Sequence, residues 1–304
     1  MRKFTSQEIK EFVSKPLFDE KVLLNKDPSW PKISIVTPSY NQAQFLERTI
    51  LSVLNQNYPN LEYIIIDGGS TDGSVEIIKK YEKYLAYWIS EKDKGQAHAI
   101  NKGFEKATGE LVGWQNSDDI YLPNAFYKVV EIFRNKPDYD VYFGNVYLID
   151  EFDNIIRDIR YVPFSYFSLV FEGMNIANQA AFFKNYLFKE FKLDENFQCA
   201  MDAYLFINLG KSKKEFKFIR EFLGAFRIHS QSKSATIGHI VGQKEGSKLR
   251  KDLGIDVDEN IPWSEQYKLR KLFSKIRRTF FYIYQGDFDY MMRGIKIRIK
   301  KNVK

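Results

Sequence analysis

Four short polar stretches in the first half of the 304-residue chain hold the residues best suited to chemistry. They are Pro38-Ser39-Tyr40-Asn41, Asp67, Glu91-Lys92-Asp93-Lys94-Gly95-Gln96 and Asn116-Ser117-Asp118-Asp119. Carboxylates and amides donate and accept hydrogen bonds, so such groups gathered in one place suit a polar ligand. Taken singly, each stretch reads equally well as a turn or a helix cap, the common use of Ser, Asn and Asp. What matters is whether the fold brings them to a common position.

The elements around them do that. Hydrophobic, β-branched runs predict strands at 33–37, 63–66, 87–89, 111–114 and 141–143. Between them, Leu46, Ile50, Leu51, Val53 and Leu54 recur at helical spacing, as do Val75, Ile77, Ile78 and Tyr81 behind an Asp72 N-cap. Further helices are predicted at 97–107 and at 125–133, with Pro123 in the first turn of the latter. Strands alternating with helices across short connections predict an α/β fold, a mostly parallel sheet with helices on both faces. Ligands bind such sheets at the carboxyl ends of the strands. Each of the four polar stretches follows a predicted strand.

The pattern changes after Asn145. Residues 146–149 and 155–159 read as a hairpin, followed by a mixed region with strands at 180–183 and 216–219 and a helix at 203–209. The chain therefore divides into an N-terminal extension (1–30), a first α/β half (31–145), a mixed second half (146–254) and a helical tail (255–304).

Composition narrows the function classes. With 44% hydrophobic and 28% charged residues the chain is globular, and its single cysteine, Cys199, excludes an internal disulfide or a thiolate zinc cage. The net charge of +7 is concentrated: residues 264–304 carry 12 basic and 3 acidic side chains, +9, leaving −2 on the rest. A near-neutral body argues against nucleic acid as a partner. No stretch has the roughly 18 or more apolar residues of a membrane span, and the first 26 residues lack the pattern of a signal peptide, so a cytoplasmic location is expected. In the tail, Leu269, Leu272, Phe273 and Ile276 recur at helical spacing among Arg270, Lys271, Lys275, Arg277 and Arg278. That pattern suits a helix on an anionic membrane surface and equally one packing its apolar stripe on the body.

Residues 33–145 resemble the nucleotide-binding half of a family 2 glycosyltransferase of GT-A fold. The resemblance rests on Val36-Thr37-Pro38-Ser39-Tyr40-Asn41, on Asp67-Gly68-Gly69-Ser70-Thr71-Asp72-Gly73, and on Asp93-Lys94-Gly95-Gln96 with Ala99-Ile100-Asn101-Lys102-Gly103. Gly109-Glu110 and the run from Asn116 to Pro123 complete it, and later matches extend it to about Thr236. It implies a nucleotide-sugar donor, with Pro38, Ser39, Tyr40 and Asn41 against the base and ribose. Asp67 would accept a hydrogen bond from the base and Asp93 would help hold the nucleoside, with Gln96 and Asn101 in the same donor motif. Asn116-Ser117-Asp118 matches the family's Asp-x-Asp motif with Asn first, which leaves Asp118 to bind Mn²⁺ or Mg²⁺ and Asp119 to support it. His98 stands where an acidic residue is common and is left outside the site.

In the second half the resemblance makes Asp202 the base, with Met201 at the position of the family's Glu. A helix start there would lower its pKa and keep it ionised. Phe226-Arg227-Ile228-His229-Ser230 resembles the closing Arg-x-His segment, implying His229 as a metal ligand and Arg227 as a contact to the diphosphate. Asn178 and Gln179 fall where the acceptor would bind. The implied activity is metal-dependent, inverting transfer from a nucleotide sugar, a UDP-sugar by preference. The acceptor would be a hydroxyl of a glycan or lipid-linked molecule in surface polysaccharide or glycoconjugate biosynthesis, with the enzyme peripheral on the inner face of the cell membrane. A sugar nucleotidyltransferase is the first alternative, although the turn after the first strand lacks a Gly-rich basic loop. A catalytically silent, membrane-associated nucleotide-binding module is the second, kept open by Met201.

Overall fold

The computed structural model describes residues 1–254, 260, 265 and 267–294. Two short helices, α1 (Ser6–Ser14) and α2 (Glu20–Leu24), precede the sheet. The first half then alternates strand and helix: β1 (Ile33–Ser39), α3 (Ala43–Leu54), β2 (Leu61–Asp67), α4 (Ser74–Lys80), β3 (Tyr87–Ser90), α5 (Gln96–Lys106) and β4 (Leu111–Trp114). These four strands pair in parallel in the order β3-β2-β1-β4. β1, β2 and β4 are buried along their whole length, which is why their sequences read as continuous apolar runs rather than alternating ones. A methyl group at Gly103 would collide with Val36, so this glycine lets α5 lie directly on β1.

The second half extends the same sheet with mixed polarity. β5 (Ile120–Tyr121), α6 (Ala125–Asn135), β6 (Val141–Ile149), β7 (Ile155–Ile159), α7 (Tyr166–Glu172), β8 (Ala181–Lys184), α8 (Leu187–Glu190), α9 (Met201–Lys211) and β9 (Phe216–Arg227) follow in order. β8 joins β4 to β6 with antiparallel pairing on both sides, and β9 runs parallel to β6. One apolar core lies under α5 and α9, with Phe104, Trp114, Phe183 and Phe206, and another lies under α3 and α6, with Ile50, Tyr58, Phe126 and Phe182. After α10 (Lys233–Thr236) and α11 (Gly238–Asp252), α12 (Lys268–Tyr284) lies beside α7.

Several local expectations shift. The predicted strand at 141–143 and the first arm of the hairpin are one strand, because β6 runs unbroken through Gly144 and Asn145 and the irregularity is taken up by extra residues of β9 between Phe218 and Gly224. The boundary drawn at 145 thus falls within β6. Pro123 precedes α6 instead of entering it, since Asn124 takes the N-cap at φ 63°. Gly73, at φ 97°, caps α4, while Asp72 accepts from the Ser74 N–H one step earlier. The tail reading of 255–304 falls partly outside the described residues, at 255–259, 261–264, 266 and 295–304. Within them α12 does pack on the body, but not through the stripe that the periodicity marks. Ser274 and Tyr282 are buried, whereas Leu269, Leu272, Phe273 and Ile276 face outward.

Candidate active site

The ends of β1, β2, β3 and β4 open into one cavity of about 1100 Å³. A site for a single small ligand is typically about 300–1,000 Å³, so this cavity is at the upper edge of that range. From the first loop Pro38, Ser39 and Tyr40 line it, and the Tyr40 side chain is exposed at its rim. Asn41 does not line the cavity. Held at φ 51°, it donates its N–H to Ser70 Oγ at 2.8 Å and accepts the Thr71 N–H at 2.9 Å, stitching the first loop to the second. Asp67 is also absent from the wall. Fully buried, it accepts from the N–H groups of Gly69 and Ser70 and from the hydroxyls of Ser70 and Ser90, and so fixes the turn after β2.

Asp93 lines the cavity with an oxygen to spare. Its Oδ1 lies 2.8 Å from both His98 Nδ1 and Lys102 Nζ, while Oδ2 is buried without a hydrogen-bond partner. His98, set aside in the sequence, therefore positions this carboxylate. Ser39 Oγ, Trp114 Nε1 and Asn178 Nδ2 are likewise buried, unpartnered and on residues of the wall. Buried polar groups are nearly always hydrogen-bonded, so this concentration marks a surface shaped for a polar ligand. Gln96 spans the site, donating to Asn116 Oδ1 at 2.8 Å and accepting from Lys233 Nζ at 2.9 Å. Asn101, by contrast, exchanges two hydrogen bonds with the backbone of Leu193 and ties α5 to the second half.

Asn116, Ser117 and Asp118 line the cavity beyond β4. Asp118 Oδ2 lies 3.1 Å from His229 Nε2, and the His229 ring is buried against Phe45. Asp119 faces the other way into the protein. It accepts the Arg227 N–H at 2.9 Å, Gln179 Nε2 at 2.8 Å and Asn116 Nδ2 at 3.0 Å. Its burial, and then the charge of Asp118, push its carboxyl well above the usual range. A methyl at Gly224 would strike the Gln179 carbonyl, so that glycine allows Gln179 to reach Asp119. Arg227 departs from expectation. It is fully buried and does not line the cavity; Nε donates to the Asp118 carbonyl at 2.7 Å and Nη1 pairs with Asp153 at 2.6 Å. It props the backbone that presents Asp118 rather than meeting a ligand.

A hard divalent cation accepts both carboxylate oxygen and imidazole nitrogen, so Asp118 and His229 form a chemically suitable pair. Among the described residues no group of three or more His, Cys, Asp or Glu side chains gathers at one point. A cation held by this pair would have to take its remaining positions from ligand or solvent oxygens.

Asp202 lines the same cavity from the first turn of α9 and accepts the Ala203 N–H at 2.8 Å. Its pKa is raised to about 6 by burial. This reverses the expected direction: loss of solvent outweighs the helix terminus and the backbone bond. Beyond Asp202 the wall becomes apolar, with Leu169 and Val170 of α7, Met174, Ile207 and Leu249. Gly238, Gly242 and Gly246, four residues apart on one face of α11, also line it, beside Arg250 and Lys233. Neither α7 nor α11 was anticipated as part of the site. The four-residue glycine spacing was the one available signal, pointing to a helix face kept clear of side chains.

The family model for glycosyl transferase family 2 matches residues 34–197, over half of the chain. An uncharacterized glycosyltransferase of Methanocaldococcus jannaschii is 28% identical over 65% of this chain and 71% of its own length. One of Nostoc is 38% identical over 34% of this chain, and TuaG of Bacillus subtilis, named as a teichuronic acid biosynthesis glycosyltransferase, is 38% identical over 35%. The chain spans about a third of the former and under half of the latter. Among solved structures, S. aureus TarS in complex with UDP-GlcNAc superposes with a TM-score of 0.57 at 17% identity, over 75% of this chain and 68% of its own. The mannosyltransferase PcManGT of Pyrobaculum calidifontis, in complex with GDP-Man and Mn²⁺, does so at 0.57 and 17%, over 83% and 71%. At such identities the likeness is one of fold.

Proposed function

The chain belongs to glycosyl transferase family 2 and has the GT-A fold, and from that premise we propose that it is a metal-dependent, inverting glycosyltransferase using a UDP-sugar. The observation that carries this reading is that a single cavity is lined both by Asp118, which His229 backs at 3.1 Å, and by the Asp202 carboxylate. Ser39, Tyr40 and Asp93 receive the nucleoside, and Lys233, beside Gln96, faces the diphosphate.

Asp118 and His229 would hold Mn²⁺ or Mg²⁺, which when bound offsets negative charge on the departing diphosphate. Asp202 acts on the acceptor. Its carboxylate takes the proton of the attacking hydroxyl as the new bond to the anomeric carbon forms and the bond to the diphosphate breaks on the opposite side. A pKa near 6 leaves it ionised at neutral pH yet basic enough to draw that proton, the balance a general base requires. Arg227 and Asp119 act from behind by fixing the Asp118 loop. The acceptor is a hydroxyl of a glycan or lipid-linked molecule of surface polysaccharide or glycoconjugate biosynthesis, reached from the cytoplasmic face of the membrane.

The test is release of nucleoside diphosphate from UDP-, GDP- and dTDP-sugars with and without Mn²⁺, for the parent and for Asp118→Ala. Metal-dependent release from one donor, lost in the variant, is the expected result. Failure of every donor to bind would overturn the reading.

A further inference from the structure

Helix α12 carries two opposed faces. One holds the body: Ser274 Oγ lies 2.6 Å from Glu172 Oε2, Arg278 pairs with Glu172 at 2.5 Å, and the Tyr282 hydroxyl donates to the Arg160 carbonyl at 2.9 Å. Arg277 adds a bond to the Pro163 carbonyl at 2.8 Å, and just past the helix Arg160 pairs with Asp287 and Asp289. The other face is apolar and bare. Leu269, Leu272, Phe273, Ile276, Phe280 and Ile283 are all exposed, Leu269 by 72% and Phe273 by 65%. At about 100° per residue these six fall within a stripe roughly 100° wide, directly opposite Ser274 and Arg278.

Exposed apolar residues scattered singly need no explanation, but a continuous stripe along a helix of 17 residues does. Its flanks say what covers it. The helix contains six Lys and Arg residues and no acid. On the wheel, Arg270 and Arg277 border the stripe on one side and Lys268 and Lys275 on the other. Apolar residues between two basic borders match the hydrocarbon edge and anionic headgroups of a bilayer. The charge of the whole chain repeats the division, with +9 on 264–304 and −2 elsewhere.

The helix on which α12 docks ties this face to the active site. On α7, Ser168 and Glu172 contact α12, while Leu169 and Val170 line the catalytic cavity beyond Asp202. Met174, just past α7, lines the same end of the cavity and is itself exposed. We propose that α12 is a lipid-surface docking helix. Its apolar stripe enters the headgroup region of an anionic bilayer, and its opposite face, through α7, turns the apolar end of the cavity toward that bilayer. The site thereby takes an acceptor hydroxyl carried on a membrane lipid. Naming that end as the acceptor's rests on the proposed transferase reading, whereas the docking itself does not.

The experiment is flotation of the full chain with vesicles of phosphatidylcholine alone and of three parts phosphatidylcholine to one part phosphatidylglycerol. Strong binding to the anionic vesicles, weak binding to the neutral ones and release in about 0.5 M salt are expected. The triple variant Phe273→Ser, Ile276→Ser, Phe280→Ser should lose at least about tenfold in vesicle affinity. Its circular dichroism melting curve and its donor hydrolysis in solution should match those of the parent. Lys268→Glu with Lys275→Glu should weaken binding to the anionic vesicles only. For orientation, an environment-sensitive dye placed through Met174→Cys in a Cys199→Ser background should shift blue on vesicle addition, while one placed through Lys79→Cys should not. Absence of binding to either vesicle overturns the proposal, as does a stable dimer that the triple variant makes monomeric, which would assign the stripe to a second copy. An unshifted dye at 174 with binding intact overturns the orientation. Loss of donor turnover in a parent that still binds vesicles would instead count against the transferase reading and leave docking in place.

Discussion

The parts of the cavity wall that the proposed function gives to donor and acceptor, its donor end and its acceptor end, are built from opposite materials. At the donor end, short loops after parallel strands are locked by side chains that bond to backbone, as Asp67 does to Gly69 and Ser70 and Arg227 does to the Asp118 carbonyl. At the acceptor end the wall is made of helix faces, apolar on α7 and bare glycine on α11. The donor end fixes polar atoms in space; the acceptor end leaves room. A nucleotide diphosphate presents the same hydrogen-bonding groups whatever the sugar, so one rigid constellation suffices. Acceptors vary, and an open, weakly polar surface is what variation in shape calls for.

If the division holds, damage at each end should have a distinct kinetic signature. Asp202→Asn at the acceptor end should lower kcat for transfer by about 10²–10⁴-fold while nucleotide affinity stays near that of the parent, read by titration calorimetry. Asp118→Ala should lower donor hydrolysis and transfer together, by about 10²–10³-fold, because both need charge stabilisation at the diphosphate. If Asp202→Asn weakened nucleotide binding as strongly as turnover, the two ends would be one.

Arg227 sharpens the comparison from behind the donor wall. Arg227→Met removes the Nε bond to the Asp118 carbonyl and one of the two arginines on buried Asp153, which keeps Arg48, and should cost roughly 1–3 kcal/mol of stability, seen by denaturant unfolding. Donor KM, measured where the variant is still folded, should stay near the parent value. A raised KM with unchanged stability would return Arg227 to the role of a diphosphate ligand.

That residue also shows what the sequence could convey. The strand–helix alternation was legible because buried parallel strands are unbroken apolar runs, and four loops at one sheet edge followed from topology. What could not be read was which side of each loop a polar residue faces. Asn41, Asp67, Asn101, Asp119 and Arg227 all belong to the right motifs, yet each spends its hydrogen bonds on the protein, holding the loops that present Ser39, Asp93 and Asp118. A motif records that a residue is needed, whether it touches the ligand or positions one that does. The acceptor wall was illegible for another reason: α7 and α11 contribute shape, and shape leaves no residue-type signature beyond glycine spacing. In α12 the periodicity located the apolar stripe correctly but could not tell that the helix docks through its other face.

The pH profile gives a smaller, graded test of the acceptor end. Below about pH 6 Asp202 becomes protonated, so kcat for transfer should fall about tenfold per pH unit there and level off above, with the limb absent in Asp202→Asn. The stability sign is the reverse of activity. The folded pKa lies above the ordinary value of 3.8, so the native state holds this proton more tightly than the unfolded chain. The stabilisation is therefore present at low pH and lost as pH rises through about 6. Asp202→Asn should then melt higher than the parent at pH 7, a gain in stability at the expense of activity. A variant that melted lower would mean the carboxylate has a partner the acceptor end conceals.

The smallest expected effect lies at the donor end. Asp93→Asn keeps an acceptor oxygen at the cavity wall but removes the charge that His98 and Lys102 hold in place. One weakened hydrogen bond to the nucleoside, worth about 1 kcal/mol, should raise donor KM about fivefold and leave kcat unchanged. The split matters more than its size. Contacts to the nucleoside exist equally in the ground and transition states, so their loss belongs in KM. If kcat fell instead, the nucleoside clamp would be coupled to the reacting centre through Lys102 and α5, and the donor end would have to be treated as a moving part rather than a fixed cradle.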